Sequence, residues 1–392
     1  MKIEIEAARL ARALSSARAV MKDNKVIEIY GHALLIAEGE TLRLKTSNMD
    51  MTAEMTLPAH VLVPGRCTMP ADRLSHALSC AREGAEVRIE LADRDRVIVR
   101  SGRNRHEMMS MDPDLLGGLP DIENPICDFV APVHEWLAWA APAAHTKPEL
   151  RPEMAGVWMS VDYGRMVIAA CDSHHGLIRR EDIPLGADAL PDTMITSDVV
   201  AVICKLFDAP ARILLNRNRI DVSGEGVRLS AKLGDVRRPP FERAMERKNF
   251  DSFTVPRADL QAAIKAVLPL TAAKNSMSVE VLVADDQMRI ACRSDAGEIA
   301  VSDTDIEQCP PAPLRFSFNP RHLLSLLAAA SVPIVRISIS KDDQVANVLA
   351  TSPVDGWPHY AAGALNRNDP HIDLAKLLTP EGLISSDVQE AA

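Results

Sequence analysis

A chain of 392 residues is longer than one hydrophobic core usually covers, so two or three domains are expected. Its 47% hydrophobic and 25% charged residues exclude a disordered or fibrous chain, and a net charge of −10 excludes a protein coated by nucleic acid while leaving room for a local basic surface. Seven scattered cysteines (67, 80, 127, 171, 204, 292 and 309), never spaced C-x-x-C, argue against a disulfide framework or a zinc knuckle.

The chain opens on MKIEIEAARLARAL, where charges interrupt the apolar positions, so neither a signal-peptide core nor a membrane span is expected and the location is read as cytoplasmic. From Glu6, EAARLARALSSARAVMK has helical periodicity. Alternating stretches follow in ALLIAEGETLRLKT, then a second helix in MPADRLSHALSCARE near residue 69 and further short strands in AEVRIELADRDRVIVRSG. The same order returns with PVHEWLAWAAPAAHTK from Pro132, VWMSVDYGRMVIAA, a helix near 196 in TSDVVAVICKLFDAP, and ARILLNRNRIDVSGEGVRLSAKL. It returns again with PRADLQAAIKAVLPLTAAK from Pro256, VEVLVADDQMRIAC, NPRHLLSLLAAAS near 319, and VRISISKDDQVANVLATS. The second strands align as Leu42-Arg-Leu44, Met166-Val-Ile168 and Met288-Arg-Ile290.

Three copies of helix, strands, helix, strands make an internal repeat with a domain-sized period. The fold class is α+β, and apolar strand faces must be buried by helices on one side, so helices and antiparallel sheets segregate into two layers. Domains are expected at 1–125, 126–250 and 251–367, with a C-terminal extension over 368–392. Units joined edge to edge make an arc with helices on one face. Cations gather on the first helix (Arg9, Arg12, Arg18, Lys22) and the fifth (Arg257, Lys265, Lys274), whereas the third and fourth are nearly neutral. A basic run of this kind is either a solvated face or a contact for nucleic acid.

Several stretches resemble the bacterial sliding clamp family, the beta subunit of the replicative DNA polymerase III holoenzyme. RPEMAGVW at 151–158 is similar to the family's RPxLxGV, ACDSHHG at 170–176 to ATDGHRL, and AKLGDVRRPPFERAM at 231–245 to SKLxDGxFPDYRRVxP. FSFNPRHLLSLLAAA at 316–330 resembles FNxxYLLDAL, LRLKTSNMDM at 42–51 resembles LxxxATDLE, and VRSGRNRHEM at 99–108 resembles IxSGxxRFxL. The resemblance spans about residues 1–367 and implies three tandem copies of the DNA-clamp domain in a crescent protomer. Two crescents would pair head to tail into a ring around double-stranded DNA, without sequence preference. It implies a processivity factor that tethers the DNA polymerase subunit, the clamp loader and repair proteins through short peptide motifs, with no catalysis and no cofactor. ATP would be used by a separate loader, since no Walker loop, H-E-x-x-H or G-x-G-x-x-G occurs here.

By the same resemblance, Arg9, Arg12, Arg18, Lys22, Lys147, Lys265 and Lys274 face DNA. The partner-peptide pocket falls on Met154, Cys171, Ser173, His174, His175, Gly176 and Glu246, with Ala361, Gly363, Ala364 and Leu365 from the stretch 361–366. The subunit joint falls on His106, Met108, Leu270 and Thr271, a more polar set than the family's, which implies weak, pH-sensitive or absent closure. His175 replaces the family's Arg, Gly176 its Leu and Glu246 its Pro, so ordinary partner peptides are expected to bind weakly. Taken by itself, CDSHH also fits a metal site on Cys171, His174 and His175, a Cys/His nucleophile, or a polar strand-to-turn segment. A clamp-like interaction module that does not encircle DNA is the other alternative. In the tail, Ile372, Leu374, Leu377 and Leu378 match a short amphipathic helix, read either as a disordered end or as a segment docking in cis into the altered pocket.

Overall fold

The computed structural model describes residues 1–21, 27–93, 95–172, 175–241, 250–271, 278–294, 298–330, 332–340, 347–351 and 360–363. Six helices appear among them: α1 (Ala7–Ala17), α2 (Ala71–Ser79), α3 (Val133–Ala140), α4 (Ser197–Leu206), α5 (Arg257–Val267) and α6 (Pro320–Ala329). Two fall in each third of the chain, as the repeat requires. The tail expectation lies outside the described residues, and no helix among these is long and apolar enough to cross a membrane.

The helices form where apolar residues recur at three- and four-residue spacing. In α1 these are Ala7, Leu10, Ala13, Leu14 and Ala17, all buried, and in α5 Leu260, Ala263, Ile264 and Val267. The N-terminus of α6 is fixed by Asn319, whose Oδ1 accepts from the Arg321 amide at 2.9 Å, with Pro320 at the first position. Its C-terminal carbonyls are held by Arg257 of α5, which donates to the oxygens of Leu327 at 3.4 Å and Ala330. Arg257 therefore satisfies helix-end acceptors that would otherwise need water.

Each matched strand pair is a hairpin with a two-residue turn. Glu38 pairs with Thr41, Asp162 with Arg165 and Ala284 with Gln287 across Gly39-Glu40, Tyr163-Gly164 and Asp285-Asp286. Tyr163, Gly164, Asp285 and Asp286 all have positive φ, the conformation that suits a two-residue hairpin to the twist of its strands. Leu42, Leu44, Met166, Ile168, Met288 and Ile290, the residues aligned by the repeat, are all buried.

The chain divides into two compact units, Met1–Ala138 with Ile183–Asp235 and Trp139–Asp182 with Val236–Ala392. In the first, a five-stranded sheet runs in the order His60–Val63, Lys2–Glu6, Glu86–Asp93, Arg96–Ser101, Asn104–Met109. Its eight-stranded sheet joins strands of the first and second thirds, because Val227–Lys232 pairs antiparallel with Met51–Pro58. The core there packs Ile3, Leu10 and Leu14 against Leu35, Leu44, Leu74 and Ile89.

In the second unit the junction is repeated. His175–Glu181 pairs with Tyr360–Gly363, so Arg165–Cys171, His175–Glu181, Tyr360–Gly363, Asn347–Thr351, Ile334–Ser340 and Phe250–Pro256 are successive neighbours in one sheet. A separate four-stranded sheet runs Ile299–Asp305, Gln287–Arg293, Val279–Ala284, Leu314–Phe318. The expected two-helix, antiparallel-sheet repeat is the observed fold.

Two outcomes check this packing. Ile290→Ala is expected to lower unfolding free energy by about 2–5 kcal/mol in urea titration, since it empties a fully buried site. Burial pushes the Cys67 thiol up to about 12, so in the native chain Cys67 should resist a thiol reagent at neutral pH while exposed Cys80 and Cys309 react at once.

Candidate functional site

Three regions follow from the sequence reading: the cations on the helices, the turn after Cys171 and the expected subunit joint. On α1, Arg12 is exposed and Arg9 lies 3.6 Å from Glu6, and just past its end Arg18 is paired with Asp72 of α2. These pairs are solvent-exposed and worth at most about 1 kcal/mol each, so phosphate can compete for the arginines. Lys265 is exposed on α5, and Lys147 is exposed in the segment after α3. Lys22 and Lys274 lie outside the described residues.

Two cations of the same helical layer were not singled out by sequence. Arg73 is exposed on α2, and Lys205, in the last turn of α4, donates from Nζ to the Ser15 carbonyl of α1 at 3.0 Å. The signal for Lys205 was its position at a helix C-terminus, but its approach to α1 is a tertiary fact. Arg257 belongs to the α6 cap.

The CDSHHG turn has a local explanation. The Asp172 carboxylate accepts from the His175 amide at 2.9 Å while the Asp172 amide donates to the His175 carbonyl at 3.1 Å, so the aspartate closes its own strand-to-strand turn. Gly176 then pairs with Cys171 on one side and Ala361 on the other, and Ala362 faces His175. A Cβ at Gly176 would lie 3.2 Å from both the Ala170 oxygen and the Cys171 Cβ, so a side chain there needs its neighbours to give way. Strand pairing therefore brings together Cys171, His175, Gly176 and Ala361, and Gly363 follows opposite Asn347. Met154 is half-buried in the turn Pro152–Met154 that leads into Gly156–Asp162, the strand beside Arg165–Cys171. Ser173, His174, Glu246, Ala364 and Leu365 lie outside the described residues.

His175 is only 8% exposed. Its ring stacks on that of His322 in the first turn of α6, with centroids 4.6 Å apart and planes 11° from parallel. Its Nδ1 is 3.0 Å from Asp172 Oδ1, yet neither ring nitrogen has an aligned hydrogen-bond partner among the described residues. Leaving buried polar atoms unmatched costs about 1–3 kcal/mol per group. The sequence reading did not include His322; its one signal was that it occupies the Tyr position of the FNxxYLL resemblance. The metal reading centred on Cys171, His174 and His175 includes His174, which lies outside the described residues. Among the described residues, Asp172, His175 and His322 are the set whose donor atoms all lie within 4.8 Å of one another.

The third region is the sheet edge formed by Asn104–Met109. His106 is half-buried and faces His76 of α2 edge-on, with centroids 6.4 Å apart. Both line a surface cleft of about 540 Å³ with Asp72, Arg73, Arg105, Glu107 and Met108. The Met108 side chain joins the core of its own unit at 4% exposure, whereas Met109 is 55% exposed. Leu270 is half-buried at the end of the single turn that extends α5, and Thr271 Oγ1 donates to the Leu268 carbonyl at 2.7 Å.

Tandem helix pairs over antiparallel sheets that continue from one repeat into the next define a clamp-fold protein. Residues 1–116 match the family model described as the DNA polymerase III beta subunit, N-terminal domain. The chain is 24% identical over 376 residues to the beta sliding clamp of Caulobacter vibrioides, covering 92% of this chain and 98% of that one. A crystal structure of the Caulobacter crescentus beta sliding clamp superposes with a TM-score of 0.87 at 22% identity, over 93% of this chain and 99% of the other. The Helicobacter pylori beta clamp bound to a DNA ligase peptide superposes with a TM-score of 0.85 at 17% identity, over 93% and 100%. Over nearly its whole length the chain is therefore similar to beta sliding clamps in sequence and shares their fold.

Asp172→Ala removes the acceptor that closes the turn and is expected to cost about 1–2 kcal/mol of stability in chemical denaturation, with Asp172→Asn costing less.

Proposed function

We propose that the chain is a DNA sliding clamp, a non-catalytic processivity factor that encircles duplex DNA and tethers polymerase and repair proteins to it. The observation that carries this is a clamp fold matched over nearly the whole chain together with a likeness of similar extent to a beta sliding clamp. A ring is retained by topology, so it needs only weak, screened attraction to phosphates and no base contact. That reconciles a net charge of −10 with DNA. Arg9, Arg12, Arg18, Lys147 and Lys265, joined by Arg73 and Lys205, are the cations we assign to it, and repeat boundaries near 125 and 250 are the matching domain division.

Closure would join two copies through the free edge Asn104–Met109 of one and the free edge Ile299–Asp305 of the other. Both are terminal strands of their sheets, with unpaired backbone groups that a partner strand satisfies. Charge does not by itself select this pairing, because Arg105 pairs with Glu107 of its own strand and Asp303 with Arg289. His106, Leu270 and Thr271 fit positions beside this joint, and Met109 is the better exposed apolar contact than Met108.

The peptide pocket is assigned to Met154, Cys171, His175, Gly176 and Ala361, supported by the Helicobacter pylori clamp having been solved with a ligase peptide. With Gly176 lacking the apolar side chain of the family pattern, a standard clamp-binding peptide should bind with Kd weaker than micromolar; micromolar binding by fluorescence anisotropy would contradict a depleted pocket. Light scattering across micromolar to nanomolar concentrations should give the mass of two chains, and a persistent monomer would favour an interaction module that does not encircle DNA. Reversing Arg9, Arg12 and Lys265 to Glu together should leave that mass unchanged and weaken duplex association roughly tenfold at low salt, with a shallower salt dependence.

A further inference from the structure

We propose that Asp172, His175 and His322 form a site for a divalent transition metal, with zinc the ion whose chemistry it fits. The donors are one carboxylate and two imidazoles, a set that zinc takes readily, and one from each residue already lies within 4.8 Å of the others. A tetrahedral ion holds neighbouring donors about 3.3 Å apart. Asp172 Oδ1 and His175 Nδ1, at 3.0 Å, stand at nearly that spacing without the alignment of a hydrogen bond. His322 then has to close a gap of at most about 1.5 Å by side-chain rotation in the first turn of α6.

A second observation points to a ligand at the same place. His175 is more than nine-tenths buried, and among the described residues both its ring nitrogens lack a hydrogen-bond partner, although a neutral imidazole has one donor and one acceptor to satisfy. A metal on one nitrogen uses the lone pair that no donor among the described residues reaches. The two rings stack 11° from parallel, so their in-plane lone pairs do not yet converge, and binding has to turn the His322 ring out of the stack toward the nitrogen of His175. Both histidines depart from the resembled pattern, where Arg and Tyr stand, so the two substitutions meet at a single point in space.

Bound zinc would tie the turn at Asp172 and His175 to the start of α6, beside the strands that carry Gly176 and Ala361. Three protein ligands leave a fourth position for water or for a side chain from a docked segment. The proposal does not depend on DNA encirclement, because metal content is read without DNA or partner.

The test uses the full chain carrying Cys80→Ser and Cys309→Ser, so that exposed thiols do not hold metal. It is equilibrated with Zn2+, passed through gel filtration with a weak chelator and assayed by elemental analysis, beside His175→Gln and His322→Gln in the same background. About one zinc per chain is expected in the parent and none in either variant, with zinc raising Tm in the parent alone. Far-ultraviolet circular dichroism confirms that the variants are folded, and Co2+ in place of zinc should give visible d–d bands without thiolate charge transfer. No stoichiometric zinc in the parent, zinc retained by a folded His322→Gln variant, or a thiolate band with Co2+ would each overturn the site.

Discussion

The fold depends on antiparallel pairing between strands that belong to different repeats. A sheet that stops leaves a row of unpaired amides and carbonyls, and each repeat ends in such an edge. Val227–Lys232 meets Met51–Pro58 at one junction, and His175–Glu181 meets Tyr360–Gly363 at the other. These pairings make each compact unit out of parts of two repeats, which is why the middle third of the chain is divided between the units. Asn104–Met109 and Ile299–Asp305 are among the strands that remain terminal in their sheets.

The second junction also makes the candidate site. Because His175–Glu181 must start at the register that pairs His175 with Ala362, the Asp172 turn is held at the end of that sheet. There α6 brings His322 against His175. A stretch that reads as a polar turn thus acquires a buried imidazole through sheet pairing and helix packing.

Much of the architecture was legible because periodicity is a local property. Six helices and the matched hairpins could be read from apolar spacing, and the residues aligned across repeats, such as Leu44, Ile168 and Ile290, proved to be equivalent core positions. What was not legible depends on which face meets what. Strand alternation fixes that Met108 and Met109 point opposite ways but does not say which is inward, and Met108 is the one that packs in the core. Arg257 looked like one more surface cation and instead caps α6. His322, about 147 residues from His175 in sequence, could be joined to it only by the fold.

The central claim is that the chain holds DNA by topology, and retention on DNA of different end states tests it most directly. The chain is loaded by a clamp loader onto primed circular duplex, and the bound fraction is followed by gel filtration before and after a single restriction cut. The account predicts a long-lived complex on the circle that is lost on linearisation and preserved when the ends are blocked. Equal retention on circular and open linear DNA, or failure to load, would contradict it.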